Sequence, residues 1–182
     1  MSTSMATADV ARRIAETAVL RGNFTLRSGR TSSFYVDKYR FSTQPDILAA
    51  VGAMFAERVP AGTTRLAGAE LGGIPLVTAA SMAAGLPTIF IRNQKKDYGT
   101  AKQLEGILEP GDSVMLVEDV ATTGGQVLEA AKVIEAEGAT VSLICAVIDR
   151  EEGATEHIEG AGYAFDRLFR LGDLGIEPEA RD

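Results

Sequence analysis

The chain of 182 residues holds one cysteine and one histidine. Cys145 lies inside the apolar run "VSLICAVI", so no internal disulfide can form and a buried thiol in a reducing compartment is expected. His157 sits in the acidic segment "EEGATEHIEG" and is read as a surface histidine. With one residue of each kind, a His/Cys zinc cluster cannot be assembled. Long apolar runs are missing too. The start "MSTSMATADVARRIAE" has no apolar h-region, and "LVTAASMAAGLPTIFI" is too short for a bilayer and contains Pro87. A cytoplasmic protein with no membrane partner is expected. Excess positive charge is also lacking: the net charge of -7 argues against general nucleic-acid binding, which relies on basic surface.

The length suits one domain with a real core, and 46% hydrophobic with 24% charged residues is the balance of an ordinary globular protein. Residues 8–20 repeat apolar positions at helical spacing through Val10, Ile14, Ala18 and Val19. "NFTLRSGRTSSFYVDKYRF" reads as two β-rich pieces around a Ser-Gly turn, a hairpin. "QPDILAAVGAMFAERV" opens a helix on Pro45 and Asp46. Then strands alternate with helices: "RLAGAEL", "PTIFIRN", "SVMLVEDV" and "ATVSLICAVIDR" are apolar strands, separated by two glycine loops that lead into helices and by the polar excursion "QKKDYGTAKQLEGILEPGD". This is the pattern of a parallel α/β sheet covered on both faces. The acidic segment from Glu151 onward is read most simply as a solvated face.

In such sheets ligands bind beyond the carboxyl ends of the strands. "VMLVEDVATTGG" ends an apolar strand on Glu118 and Asp119 and continues into hydroxyls and glycines. Free amides where the next helix begins near Gln126 suit a phosphate, and the two acids suit the hydroxyls of an attached sugar. A βα turn with an acidic N-cap is the alternative. The spacing matches neither a Walker loop nor GxGxxG. "AELGGIPL" offers a second pair of glycines after a strand, an anion loop or merely a tight turn. Between Arg92 and Lys102 four cations (Arg92, Lys95, Lys96, Lys102) face one acid, Asp97, which gives +3 locally in an acidic chain. A solvated loop is the usual meaning of such a run, yet an anionic ligand would need cations from somewhere.

An apolar strand, two acids and then Val-Ala-Thr-Thr-Gly-Gly resembles the phosphoribosyl-pyrophosphate (PRPP) signature of type I phosphoribosyltransferases. Within them the chain is similar to the orotate phosphoribosyltransferases, through "GNFTLRSGRTSSFYVD", "GAELGGIPL", "RNQKKDYGTAKQLEG" and "VIDREEG", over roughly residues 20–153. The resemblance implies a parallel-sheet α/β core over about residues 43–182, with a small N-terminal hood, about 1–42, containing the hairpin. It implies phosphoribosyl transfer from PRPP to orotate in pyrimidine biosynthesis, with Mg²⁺ held mainly by PRPP and water rather than by protein ligands.

By the same resemblance, PRPP is bound by Glu118, Asp119, Val120, Ala121, Thr122, Thr123, Gly124, Gly125 and Gln126, by Leu71, Gly72 and Gly73, and by Arg92, Lys95 and Lys96. Arg92, Lys96 and Asp119 are implied as catalytic. Orotate is implied to meet Thr122, Arg150, Arg27 and Tyr35, though an Arg150 salt bridge to Glu151 or Asp149 is an alternative. A homodimer is implied, in which the loop 92–102 reaches the neighbouring active site. The chain departs from many members at Asn93, where they carry lysine, and at Tyr98, where they carry histidine; lysine is also frequent at the position of Arg27. Rival readings are transfer to another nucleobase, a non-catalytic PRPP-sensing regulator, and a plain phosphate-binding module.

Overall fold

The computed structural model describes residues 5–25, 29, 31–93 and 103–177. Helix α1 (Thr7–Ala18) buries Val10, Ala11, Ile14 and Ala18 along one stripe. It stops two residues before the periodicity suggests, because Val19 pairs with Val36 and Leu20 with Tyr35 in an antiparallel hairpin of β1 (Val19–Thr25) and β2 (Thr31–Val36). The expected β-rich stretch then ends early. Asp37 accepts a hydrogen bond from the Tyr39 amide and so caps a short helix, α2 (Lys38–Ser42). Helix α3 (Pro45–Ala56) follows, with Pro45 in its first turn.

The remaining strands form one six-stranded sheet, in the order β5-β4-β3-β6-β7-β8. They are β3 (Arg65–Ala69), β4 (Thr88–Ile91), β5 (Leu104–Glu105), β6 (Ser113–Ala121), β7 (Thr140–Asp149) and β8 (Phe165–Arg170). All neighbours run parallel except β4 and β5. Alternate residues of each strand enter opposite cores. Leu66, Met115, Val117, Cys145 and Val147 pack with α1, α3 and α4 (Gly73–Ala84), whereas Ala67, Leu116, Ile144 and Ala146 pack with α5 (Gly125–Ala136) and α6 (Ala154–Gly160). That explains why these strands read as unbroken apolar runs. Among the described residues, no helix is long and apolar enough to cross a membrane.

The segment after Glu151 is not a solvated face. It forms α6, then β8 paired along β7, then a 3-10 turn, Leu171–Leu174. Ile158, Leu168, Phe169, Leu171, Leu174 and Ile176 are all buried. Acidic residues between these positions disguise the apolar ones, and β8 gains its place only from a distant partner, β7. Burial of Phe169, 2% exposed, implies that Phe169→Ala leaves a cavity costing roughly 3–5 kcal/mol. Urea denaturation of the variant should show this loss, whereas a stability within about 0.5 kcal/mol of the parent, the usual range for a surface change, would return the segment to the surface.

Candidate active site

Strands β3 and β6 lie side by side at the centre of the sheet, yet the helices after them cover opposite faces. This is a topological switch point, where the loops at the carboxyl ends part and leave a crevice. Gly68 is paired with Val117, so the turn after β3 and the acids ending β6 stand at the same height. A cavity of about 420 Å³ opens there, lined by Lys38, Glu70, Arg92, Glu118 and Asp119 among others. A smaller one, about 60 Å³, is lined by Glu118 and by Val120 through Val127. The signature loop and the basic loop's first residue therefore converge, although they are far apart in sequence.

The signature loop is shaped by its glycines. Gly124 has φ +79°, and a Cβ on it would come 2.8 Å from Ile158 Cγ1, so both conformation and packing demand glycine. Helix α5 begins at Gly125, which leaves its first amides beside Thr122 and Thr123 at an anion-binding helix end. His157 is exposed, as the sequence suggests, but it is not idle: its Nδ1 lies 2.7 Å from Thr123 O and ties α6 to this loop.

In the turn after β3, Gly72 and Gly73 are buried and Leu71 is exposed. A Cβ on Gly72 would overlap the Asp119 carboxylate, so the second glycine loop lies directly against the first. Ala69 and Glu70 are the residues of this turn that face the larger cavity.

Asp119 is 3% exposed and is held by Lys38, whose Nζ stands 2.9 Å from Oδ2 and 3.2 Å from Oδ1. Lys38 was not singled out in the sequence. Its signal was a lone lysine just after an alternating strand, and its partner lies 81 residues away. Burial works to lower the Lys38 ammonium, but the charge and hydrogen bond of Asp119, with Glu118 behind, outweigh it and hold the pKa above its usual value. Glu118 stands at the floor of both cavities. Burial first, then the charge and hydrogen bond of Asp119, push its carboxyl up to about 8 against the pull of Lys38. Glu118 thus holds its proton toward neutral pH, while Asp119 is paired with Lys38.

Arg150 follows β7, and its amide donates to Ala121 O at 2.9 Å, beside the signature loop. It is 9% exposed. The guanidinium lies 5.2 Å from the centre of the Phe34 ring, and its Nε stands 2.9 Å from Glu152 Oε1, so the ion pair is to Glu152 rather than to Glu151 or Asp149. Phe34, a second residue missed in the sequence, comes from the buried face of β2. Its neighbour Tyr35 is 42% exposed, with its ring 5.8 Å from that of Phe24. Arg27, Lys95, Lys96 and Tyr98 lie outside the described residues. Among the described residues no group of three or more His, Cys, Asp or Glu is placed to hold a metal ion.

The raised Glu118 value has a consequence for stability. A carboxyl raised in the fold stabilises it while protonated; that contribution is complete below 4.5 and is lost as pH climbs through about 8. Glu118→Gln stays neutral throughout, so its melting temperature should match the parent near pH 4 and exceed it by at least about 5 °C at pH 9, at ~2–4 °C per kcal/mol. Thermal melts at the two pH values decide this, and an equal difference at both would mean that Glu118 is not raised.

The phosphoribosyl transferase domain family matches residues 40–163. The chain is similar to the orotate phosphoribosyltransferase of Thermococcus gammatolerans, at 43% identity over 160 residues, which cover 86% of this chain and 85% of that one. It is similar in structure to the orotate phosphoribosyltransferase of Mycobacterium tuberculosis H37Rv in complex with Fe(III) dicitrate, with a TM-score of 0.84 and 32% identity over 93% of this chain and 99% of that one. The same Mycobacterium tuberculosis protein in complex with PRPP gives a TM-score of 0.79 and 31% identity over the same shares. With its glycine loops at the switch point and these likenesses over most of its length, the chain belongs to the orotate phosphoribosyltransferases of the phosphoribosyl transferase family.

Proposed function

We propose that this chain transfers the 5-phosphoribosyl group of PRPP to N1 of orotate, releasing pyrophosphate and forming orotidine 5′-monophosphate for pyrimidine biosynthesis. The observation that carries this reading is the buried Arg150, backed by the Phe34 ring and hydrogen-bonded through its amide to the signature loop. A carboxylate on the incoming base would give that guanidinium a charge-assisted partner next to the ribose site.

The 5′-phosphate would sit on the amides and hydroxyls of residues 121–126, with Glu118 and Asp119 facing the ribose hydroxyls. As the bond from C1 to pyrophosphate breaks, positive charge grows on the ribose ring, and a fixed carboxylate at Asp119 favours it without reorganisation. Lys38 orients that carboxylate. Negative charge grows on the leaving group and is met by the turn at Leu71, Gly72 and Gly73, by Arg92, and by Lys95 and Lys96 of the basic loop. Glu118 and Asp119 bring carboxyl oxygens to the pocket, and oxygen donors would suit a hard cation such as Mg²⁺ reached through water. That ion would neutralise the pyrophosphate oxygens, which would supply most of its ligands.

In this reading residues 1–42 form a hood over the core 43–182, and the protein works in the cytoplasm as a homodimer whose 92–102 loop reaches the neighbouring site. Two experiments test it. Incubation with PRPP, Mg²⁺ and either orotate or uracil should release pyrophosphate with orotate alone. Uracil offers the buried guanidinium of Arg150 no carboxylate on the base side, and discrimination of about 10⁴-fold is reachable for a site built around a buried polar group. Comparable turnover of uracil would sink the choice of base. The shared site is tested by mixing Lys96→Ala with Asp119→Asn, the latter expected to lose about 10²-fold in kcat on its own. Random pairing should restore about a quarter of the parent activity if two subunits build each site. If subunits exchange and no activity returns, each subunit uses its own loop.

A further inference from the structure

Glu70 presents a carboxylate to the wall of the larger cavity. On the function proposed above, that cavity must take a pyrophosphate, so an acid there needs a reason. Its partners supply one. The Asn93 amide donates to Glu70 Oε1 at 2.6 Å, a charge-assisted bond, and the Glu70 amide donates to Ile91 O at 2.7 Å. From the other side, Gln103 grips the same backbone: the Arg92 amide donates to Gln103 O at 2.8 Å, and Gln103 Nε2 donates to Arg92 O at 2.9 Å. Arg92 is therefore strapped on both flanks. Among the described residues its guanidinium makes a long contact with Glu105, 3.7 Å, and its buried Nε has no hydrogen-bond partner.

We propose that Glu70 is a positioning residue, which fixes the backbone at Asn93 so that Arg92 is held against the cavity wall, and that it binds neither substrate nor metal. The strap uses a main-chain amide. It therefore makes no demand on the side chain at position 93, where this chain departs from many of its family. Asn93 is exposed, so water can replace the lost bond. The cost of breaking it falls on placement rather than on folding, and a displacement of about 1 Å at a reacting site can cost about 10²-fold.

The test rests on Glu70→Ala and Glu70→Gln in the full chain, with PRPP and orotate varied separately and hydrogen exchange of the Asn93 amide followed by NMR. Glu70→Ala should lower kcat/KM for PRPP by about tenfold or more, leave the KM for orotate within about twofold, and speed exchange at Asn93 by about tenfold. Glu70→Gln keeps an oxygen acceptor, so both readouts should stay within about threefold of the parent. Equal damage by Gln and Ala would mean that the charge itself is needed at substrate or metal, and would overturn the proposal. So would unchanged exchange at Asn93 in Glu70→Ala, whatever happens to activity. If the parent transfers no phosphoribosyl group while exchange still follows Glu70, the proposed reaction fails and the strap stands.

Discussion

The parallel pairing of β3 with β6 sets everything else in this molecule. Gly68 opposite Val117 brings the turn after β3 level with Glu118 and Asp119, and the absence of a side chain at Gly72 lets that turn lie on the Asp119 carboxylate. A Cβ on Gly68 would come 2.5 Å from Gly73 O, so α4 can start directly over the strand only because that position is bare. Close backbone approach at two glycines thus converts an ordinary βαβ crossover into a crevice with two loops on one floor. Helices α4 and α5 then depart to opposite faces and leave the crevice open.

Charge follows from this geometry. Two adjacent acids on one strand point to opposite sides of the sheet plane, yet here they stand at the same cavity edge, where removal from water separates their roles. Asp119 is paired with Lys38, and Glu118 retains its proton toward neutral pH. A protonated carboxyl next to a paired carboxylate carries less net repulsion than two bare charges, and so the site can be acidic in composition without being strongly negative. The cations come from three separate pieces of the chain: Lys38 after the hairpin, Arg92 at the end of β4, and Arg150 after β7. Each is held by a neighbour from elsewhere in the chain: Lys38 by Asp119, the Arg92 backbone by Gln103, and the Arg150 guanidinium by Phe34.

What the chain announces locally was legible. The apolar strand ending in Glu118 and Asp119, the glycines that follow, and the helix from Gly125 lie within one continuous stretch, where strand, turn and helix signals are each short-range. The α/β class was legible for the same reason, since the apolar runs of β3, β4, β6 and β7 are each buried on both faces. Boundaries were blurred where two local preferences compete. Val19 and Leu20 satisfy a helical period and a strand alike, and the hairpin partner decides for the strand. Lys38 to Ser42 looks β-prone until the Asp37 side chain caps a helix.

By itself, then, the sequence determined the layering, the signature loop and the family, because those depend on spacing within about thirty residues, the size of a βαβ unit. Only the tertiary structure decided which side chains meet. The Lys38–Asp119 pair, the Phe34 ring under Arg150, the Glu70–Asn93 strap and the burial of β8 all join residues from separate elements. No periodicity in a single stretch encodes such a contact. Its energy depends on distance and on exclusion of water, and both exist only once the sheet has closed its two cores.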